Sequence, residues 1–207
     1  MKRHLIVYAK RPLPGYAKTR LGAVLGAEQS AGVYARLVYT YLLDLLDSGI
    51  DSIEISLASS DDVPFFAEAF PECKVTPQID GDLGERMQAS FDRAFEDGAT
   101  HVVLTGSDIP GLNGTLVCQA FDALETAPLA IGPASDGGYY LIGMRTPGTQ
   151  LFRDIAWSTD RVLAQTEARA HESNLSIAYL PELDDMDRYE DFLQWSAGKK
   201  NSPSRIH

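Results

Sequence analysis

Three short segments carry residues whose types and spacing suit chemistry on a phosphate. The first runs Lys10-Arg11-Pro12-Leu13-Pro14-Gly15-Tyr16-Ala17-Lys18-Thr19-Arg20-Leu21. Two prolines and a glycine stiffen a loop that offers Lys10, Lys18 and Arg20 beside the hydroxyl of Thr19. Ammonium groups act there as point charges and a guanidinium as a two-pronged donor, which suits a di- or triphosphate. Neither GxxxxGK[ST] nor GxGxxG occurs in the chain. A plain solvated turn is the other reading of the same loop.

The second segment is Gly106-Ser107-Asp108-Ile109-Pro110-Gly111-Leu112. A hard divalent ion such as Mg²⁺ or Mn²⁺ takes one or two carboxylates together with substrate phosphates, and Asp108 is the first candidate to hold it. Asp108 would serve equally as a helix N-cap, but Pro110-Gly111 moves the next helix start to about Asn113 and favours the metal role. The third segment is Gly132-Pro133-Ala134-Ser135-Asp136-Gly137-Gly138. Asp136 is the second candidate for a metal or an acceptor, with glycines that let backbone approach a ligand. Asp-Gly-Gly between apolar runs is also a hairpin turn. Further on, Glu182, Asp184, Asp185, Asp187, Glu190 and Asp191 surround Arg188. That stretch reads as solvated and helix-capping, and it leaves one of Asp184, Asp185 and Asp187 as a further candidate for the site.

Charge narrows the class of ligand. The 207 residues carry a formal net charge of −11, which argues against a general nucleic-acid surface. Yet Lys2, Arg3, Lys10, Arg11, Lys18 and Arg20 all precede the first carboxylate, Glu28. A basic opening on an acidic body points to a local anion site. Apolar runs such as Leu5–Ala9 fall far short of the roughly 20 residues of a membrane span. The run after Lys2-Arg3-His4 stops at Lys10, too early for a signal peptide. Cys73 and Cys118 have no CxxC spacing, so a reduced, cytoplasmic protein is expected.

The elements that must position these residues alternate in type. Leu5–Ala9 reads as a buried strand, and the stretch from about Glu28 to Asp47 as a helix, with Val33, Leu37, Val38, Tyr41, Leu42, Leu45 and Leu46 at three- and four-residue steps and Gly49 as its stop. Strands are expected at Ile53–Leu57, Lys74–Gln78, His101–Thr105, Leu129–Gly132, Tyr139–Met144 and Ser176–Leu180. Helices are expected at Val63–Phe70, Leu83–Asp97, Asn113–Glu125, Asp160–His171 and Tyr189–Trp195. Strands separated by helices imply an α/β protein with a single doubly wound, mostly parallel sheet and helices on both faces. One domain over residues 1–197 and a polar tail over 198–207 are expected. In such a sheet ligands bind at the carboxyl ends of the strands, where the first two segments lie. His4, His101, His171 and His207 fall outside all three segments, so no histidine base is assigned. Tyr34, Tyr39 and Tyr41 read as helix packing, and only one of Tyr139 and Tyr140 can face a site.

Taken in order, a larger set of motifs emerges. It comprises the Lys10–Leu21 loop, Gln78 with Gly81-Asp82-Leu83-Gly84-Glu85-Arg86-Met87, the Gly106–Pro110 segment, Asp136-Gly137-Gly138-Tyr139-Tyr140-Leu141-Ile142-Gly143 and Trp157-Ser158-Thr159. Together they resemble a bacterial family of glycosyltransferases, or nucleotide-diphospho-sugar transferases, with a GT-A type fold. The resemblance covers about residues 4–192. The first motif is also similar to the phosphate loop of the guanylyltransferase that builds coenzyme F420 and, more loosely, of the molybdenum-cofactor nucleotidyltransferases. Two departures stand out. Ser107-Asp108-Ile109 replaces the usual Asp-x-Asp, and Asp184-Asp185-Met186-Asp187 lacks the family's late threonine.

The resemblance implies a nucleotide site built from Lys10, Pro14, Gly15, Lys18, Thr19, Arg20, Gln78, Gly84, Arg86, Gly106 and Ser107. It implies Mg²⁺ or Mn²⁺ on Asp108 and Asp136, and Lys18, Asp108 and Asp136 as the residues of catalysis. The leading expectation is a glycosyltransferase that moves a sugar from a nucleotide-sugar to a small-molecule acceptor. The alternative is a nucleotidyltransferase that joins a nucleoside triphosphate to a phosphorylated small molecule and releases pyrophosphate. A third is a nucleotide-binding domain without turnover, against which the intact cation loop and Asp108 weigh. No sequence feature names the acceptor, the base, the sugar or the oligomeric state.

Overall fold

The computed structural model describes residues 2–147, 150–184, 186 and 189–200. Among these, the apolar runs become strands and the amphipathic stretches become helices in the order β1 (Arg3–Ala9), α1 (Thr19–Leu25), α2 (Ala27–Leu46), β2 (Ser52–Leu57), α3 (Val63–Ala69), β3 (Lys74–Pro77), α4 (Leu83–Glu96), β4 (His101–Thr105), α5 (Gly114–Ala123), β5 (Leu129–Pro133), β6 (Tyr139–Met144), α6 (Val162–Glu172), β7 (Ile177–Tyr179) and α7 (Tyr189–Lys200). One helix was not expected. The loop after the first strand closes into α1, which Gly26 at φ +89° separates from α2. A positive φ is nearly free for glycine and costly for most other residues. α7 runs through Lys200, and residues 201–207 of the expected tail lie outside the described residues.

Seven strands form one sheet in the order β3-β2-β1-β4-β6-β5-β7. Pairing is parallel for β1 with β2 and β4, for β2 with β3 and for β5 with β7. The sheet is not uniformly parallel, because β6 runs against both β4 and β5. The strand order turns between β1 and β4, whose carboxyl ends therefore flank the crevice in which such sheets bind ligands.

Alternate residues of each strand point to opposite faces. Leu5, Val7, Ile53, Ile55, Leu57 and Val103 pack under α2, α3 and α5, against Val38, Leu42, Phe66, Val117 and Phe121. Ile6, Val102, Leu104, Ile131 and Ile142 meet Met87 and Phe91 of α4 and Ala170 of α6 on the other face. Helices thus cover both faces, as the pattern implies. β2 adds a feature that its alternation conceals, for Glu54 and Ser56 are fully buried beneath α4. Arg93 of α4 reaches Glu54 Oε1, Thr76 donates to the same oxygen at 2.7 Å, and His4 Nε2 stands 3.5 Å from Oε2. Burial opposes ionisation of Glu54, but the contacts from His4 and Thr76 and the charge of Arg93 outweigh it and hold the carboxyl at about 2. No helix among the described residues is long and apolar enough to cross a membrane. Cys73 and Cys118 are both free thiols.

Candidate functional site

A cleft of about 480 Å³ opens at the carboxyl ends of β1 and β4. Tyr8, Ala9 and Lys10 reach it from β1, and Gly106, Ser107 and Asp108 from β4. Ala17 and Lys18 come from the loop before α1, Gln78 from the end of β3, and Leu83 and Arg86 from the first turns of α4. Tyr34, Ala58 and Ser158 complete the lining. Of the expected site residues the fold therefore brings together Lys10, Lys18, Gln78, Arg86, Gly106, Ser107 and Asp108.

The loop after β1 is held at several points. Arg11 donates its backbone N–H to Asp62 Oδ2 at 3.1 Å and stacks its guanidinium over Phe65. Backbone bonds from Leu13 to Arg11 and from Tyr16 to Leu13 fold the proline stretch, with Gly15 at φ +76°. Pro14 and Gly15 thus shape the loop and do not line the cleft. Thr19 and Arg20 open α1 on an exposed face and are also outside the lining. Lys18 itself is left-handed, at φ 50° and ψ 46°, a conformation that L residues rarely adopt. Its Nζ meets Asp108 Oδ2 at 2.9 Å, and its side chain is only 2% exposed against 41% for Asp108.

The helix-cap alternative for Asp108 fails on geometry. The cap of α5 is Asn113, whose side chain accepts from Leu116 N–H at 3.0 Å. Asp108 is left at the mouth of the cleft. Asp136 has a different surrounding. Its Oδ1 accepts from Gly138 N–H at 2.9 Å in the turn that joins β5 to β6, and it does not line the cleft. Gly137, at φ +85°, lies so close to Asp160 that an added Cβ would collide with it. The hairpin reading of Asp-Gly-Gly accounts for these contacts. Ser135 beside it lines a separate cleft with Pro110, Glu182 and Asp184; Asp185 and Asp187 lie outside the described residues.

Gly84 also has a packing role. A Cβ there would come within 2.6 Å of Phe152 O and 2.9 Å of the Trp157 ring, so α4 needs glycine to approach the 152–157 segment. Gln78 is anchored by its Nε2, which donates to Ser56 O at 3.2 Å. Arg86 makes no ion pair among the described residues, and its buried Nε has no partner. A guanidinium that pairs with no carboxylate among the described residues and lines a cleft suits an anionic ligand. Tyr139 and Tyr140 both stay in the packing on either side of the sheet, and neither lines the cleft.

Sequence reasoning missed Tyr34. It does pack in α2, but its hydroxyl accepts from Lys10 N–H at 2.9 Å and shares a hydrogen bond with Ser107 Oγ at 3.0 Å. One phenol ties the two site loops together. Burial pushes it up to about 12, so it stays neutral and can donate. The available signal was chemical: a buried tyrosine must place its hydroxyl somewhere. Among the described residues no group of three or more His, Cys, Asp or Glu could hold a metal by itself. One half-exposed carboxylate facing a cation is what the cleft provides. That fits an ion such as Mg²⁺, which keeps several waters and completes its shell with substrate phosphates.

No curated protein matches the sequence. A crystal structure from Desulfovibrio desulfuricans G20, named as a candidate nucleotide-diphospho-sugar transferase, is 36% identical, with a TM-score of 0.90 over 97% of this chain and 89% of that one. A nucleotidyl transferase from Methanothermobacter thermautotroptrophicus shares the fold at 16% identity, with a TM-score of 0.62 over 97% and 99% of the two chains. A manganese complex of the Mycobacterium tuberculosis H37Rv protein Rv0371c shares it at 15% identity, with a TM-score of 0.55 over 94% and 98%. The family model described as "Uncharacterized protein conserved in bacteria (DUF2064)" matches residues 43–159, more than half of the sequence. The chain belongs to the DUF2064 family.

Proposed function

We propose that this protein is a transferase that binds a nucleotide-activated sugar through its diphosphate and passes the sugar to a small-molecule acceptor, with Mg²⁺ or Mn²⁺ on Asp108. The observation that carries the reading is the convergence of Lys10, Lys18 and Arg86 with Asp108 on one cleft at the turn in strand order. The similarity to the Desulfovibrio protein supports the same class of substrate. Lys10 and Lys18 act as point charges on the diphosphate oxygens, and Arg86 donates from the opposite wall. Gln78 and Ser107 offer neutral polar contacts to the rest of the nucleotide. A divalent ion bound by Asp108 would neutralise phosphate charge and stabilise the departing diphosphate. The work of the chain is positioning and fixed charge rather than covalent catalysis.

Nucleotidyl transfer is the second reading, favoured by the single acid in Ser107-Asp108-Ile109 and by the fold shared with the Methanothermobacter enzyme. Products separate the two. Incubation with nucleotide-sugars and Mn²⁺ should release a nucleoside diphosphate. Pyrophosphate formed from a nucleoside triphosphate and a pool of phosphorylated metabolites would replace sugar transfer by nucleotidyl transfer. Tight nucleotide binding with neither product would identify a binding domain. Lys18→Ala should weaken nucleotide binding by about 1.5–3 kcal/mol, the scale of a hydrogen bond to a charged group. Unchanged affinity in folded Lys18→Ala would remove the loop from the site.

A further inference from the structure

Resting on the diphosphate reading of this cleft, we propose that Lys18 holds the metal's place on Asp108, so that the divalent ion and the diphosphate bind strongly only as a pair. Lys18 Nζ stands 2.9 Å from Asp108 Oδ2, on the carboxylate that would hold the metal. A Mg²⁺–oxygen bond is about 2.0–2.1 Å, so an ion on that oxygen would lie within about 5 Å of the ammonium. Like charges at that range repel strongly even in the effective dielectric of a protein surface. The ammonium cannot retreat into bulk water without uncovering a side chain that is now 2% exposed. A diphosphate resolves the conflict. Its negative charge would be shared by the Lys18 ammonium and by the ion held on Asp108, turning repulsion between the two cations into attraction to a common anion.

The left-handed backbone of Lys18 supports this reading. A non-glycine residue in that region persists only where its surroundings over-determine it, and such residues cluster at ligand clamps and switches. Lys10 and Arg86 on the same cleft add to the repulsion felt by a metal that arrives alone and to the attraction felt by a diphosphate. By linkage, whatever factor the diphosphate adds to metal affinity, the metal must add to diphosphate affinity. Exchange of one cation for another on Asp108 is the device that couples them.

The test uses Mn²⁺ and inorganic pyrophosphate as probes, with bound Mn²⁺ counted by electron paramagnetic resonance and the Mn²⁺–pyrophosphate complex followed by calorimetry. Lys18→Met keeps the apolar stem and removes the charge. It should bind Mn²⁺ alone about tenfold more tightly than the parent, and the complex about tenfold more weakly, the scale of one charge-assisted contact. These opposite signs are not the result of a damaged fold or of a residue that only binds phosphate. Asp108→Asn gives the reciprocal test: Mn²⁺ binding is lost, and metal-free pyrophosphate binds at least as tightly as to the parent. If Lys18→Met leaves Mn²⁺ affinity unchanged or lower while the parent still binds pyrophosphate, the exchange is wrong and the diphosphate site stands. If Asp108→Asn binds metal-free pyrophosphate more weakly than the parent, the exchange also fails, because the carboxylate was not in competition. If the parent binds neither pyrophosphate nor its Mn²⁺ complex, the diphosphate reading itself falls and takes the exchange with it.

Discussion

Tyr34→Phe removes one oxygen atom and, with it, both hydrogen bonds that join the loop after β1 to the loop after β4. The ring is 4% exposed and keeps its packing, so no cavity opens. The loss is confined to the contacts with Lys10 N–H at 2.9 Å and Ser107 Oγ at 3.0 Å. Each such bond contributes about 0.5–1.5 kcal/mol net, and a buried donor left unmet costs about 1–3 kcal/mol. Lys10 is exposed, so water can reach its amide and the cost stays toward the low end. The sum is about 2 kcal/mol, or about 4–8 °C in Tm for a chain of this size. A domain stable by about 5–15 kcal/mol remains folded after that loss. Any change in ligand affinity then reports geometry rather than unfolding. We expect pyrophosphate, with Mn²⁺ present, to bind about five- to tenfold more weakly, because Lys10 and Asp108 no longer share a brace. Urea denaturation and calorimetry on the same preparation measure both quantities. A loss of stability with full pyrophosphate affinity would refute the bracing role and return Tyr34 to packing alone.

Acid should expose the buried carboxylate of β2. Glu54 is held at about 2 against 4.5 in the unfolded chain. A depressed carboxyl stabilises above the unfolded value and loses that contribution as pH falls from about 4.5 toward 2, by up to about 3 kcal/mol. Glu54→Gln should flatten stability across that window, and equal acid sensitivity in parent and variant would clear Glu54. Gly84→Ala should cost about 1–3 kcal/mol by overpacking against Phe152 and Trp157, with a shift in tryptophan emission; an unperturbed spectrum and stability would mean that the 152–157 segment yields freely. Arg86→Gln should weaken nucleotide binding by about 1.5–3 kcal/mol without loss of stability, since it breaks no ion pair among the described residues. Lower stability with unchanged affinity would overturn that assignment.

Much of this protein was legible in its sequence because a strand buried on both faces shows as a continuous apolar run, which is a local property of composition. The apolar cores of β4 and β6 announce themselves, and the expected bounds His101–Thr105 and Tyr139–Met144 are those observed. The helix expected at Leu83–Asp97 is likewise observed as α4, Leu83–Glu96. Of the six cations in the acid-free opening segment, Lys10 and Lys18 line the cleft, while Lys2 and Arg3 lie at the far end of β1, where Arg3 pairs with Asp122. What local pattern could not decide was direction and partnership. Asp-Gly-Gly reads equally as a ligand contact and as a turn until β5 and β6 are seen to pair antiparallel across it. Alternation in β2 cannot tell solvent from α4 on its second face, so the burial of Glu54 with Arg93 was hidden. Lys18 and Asp108 are about 90 residues apart, and Tyr34 stands between loops on two different strands. Side chains so distant in sequence meet only because the strand order sets β1 beside β4. Strand order depends on how the whole chain closes around its two hydrophobic layers, which no single segment encodes.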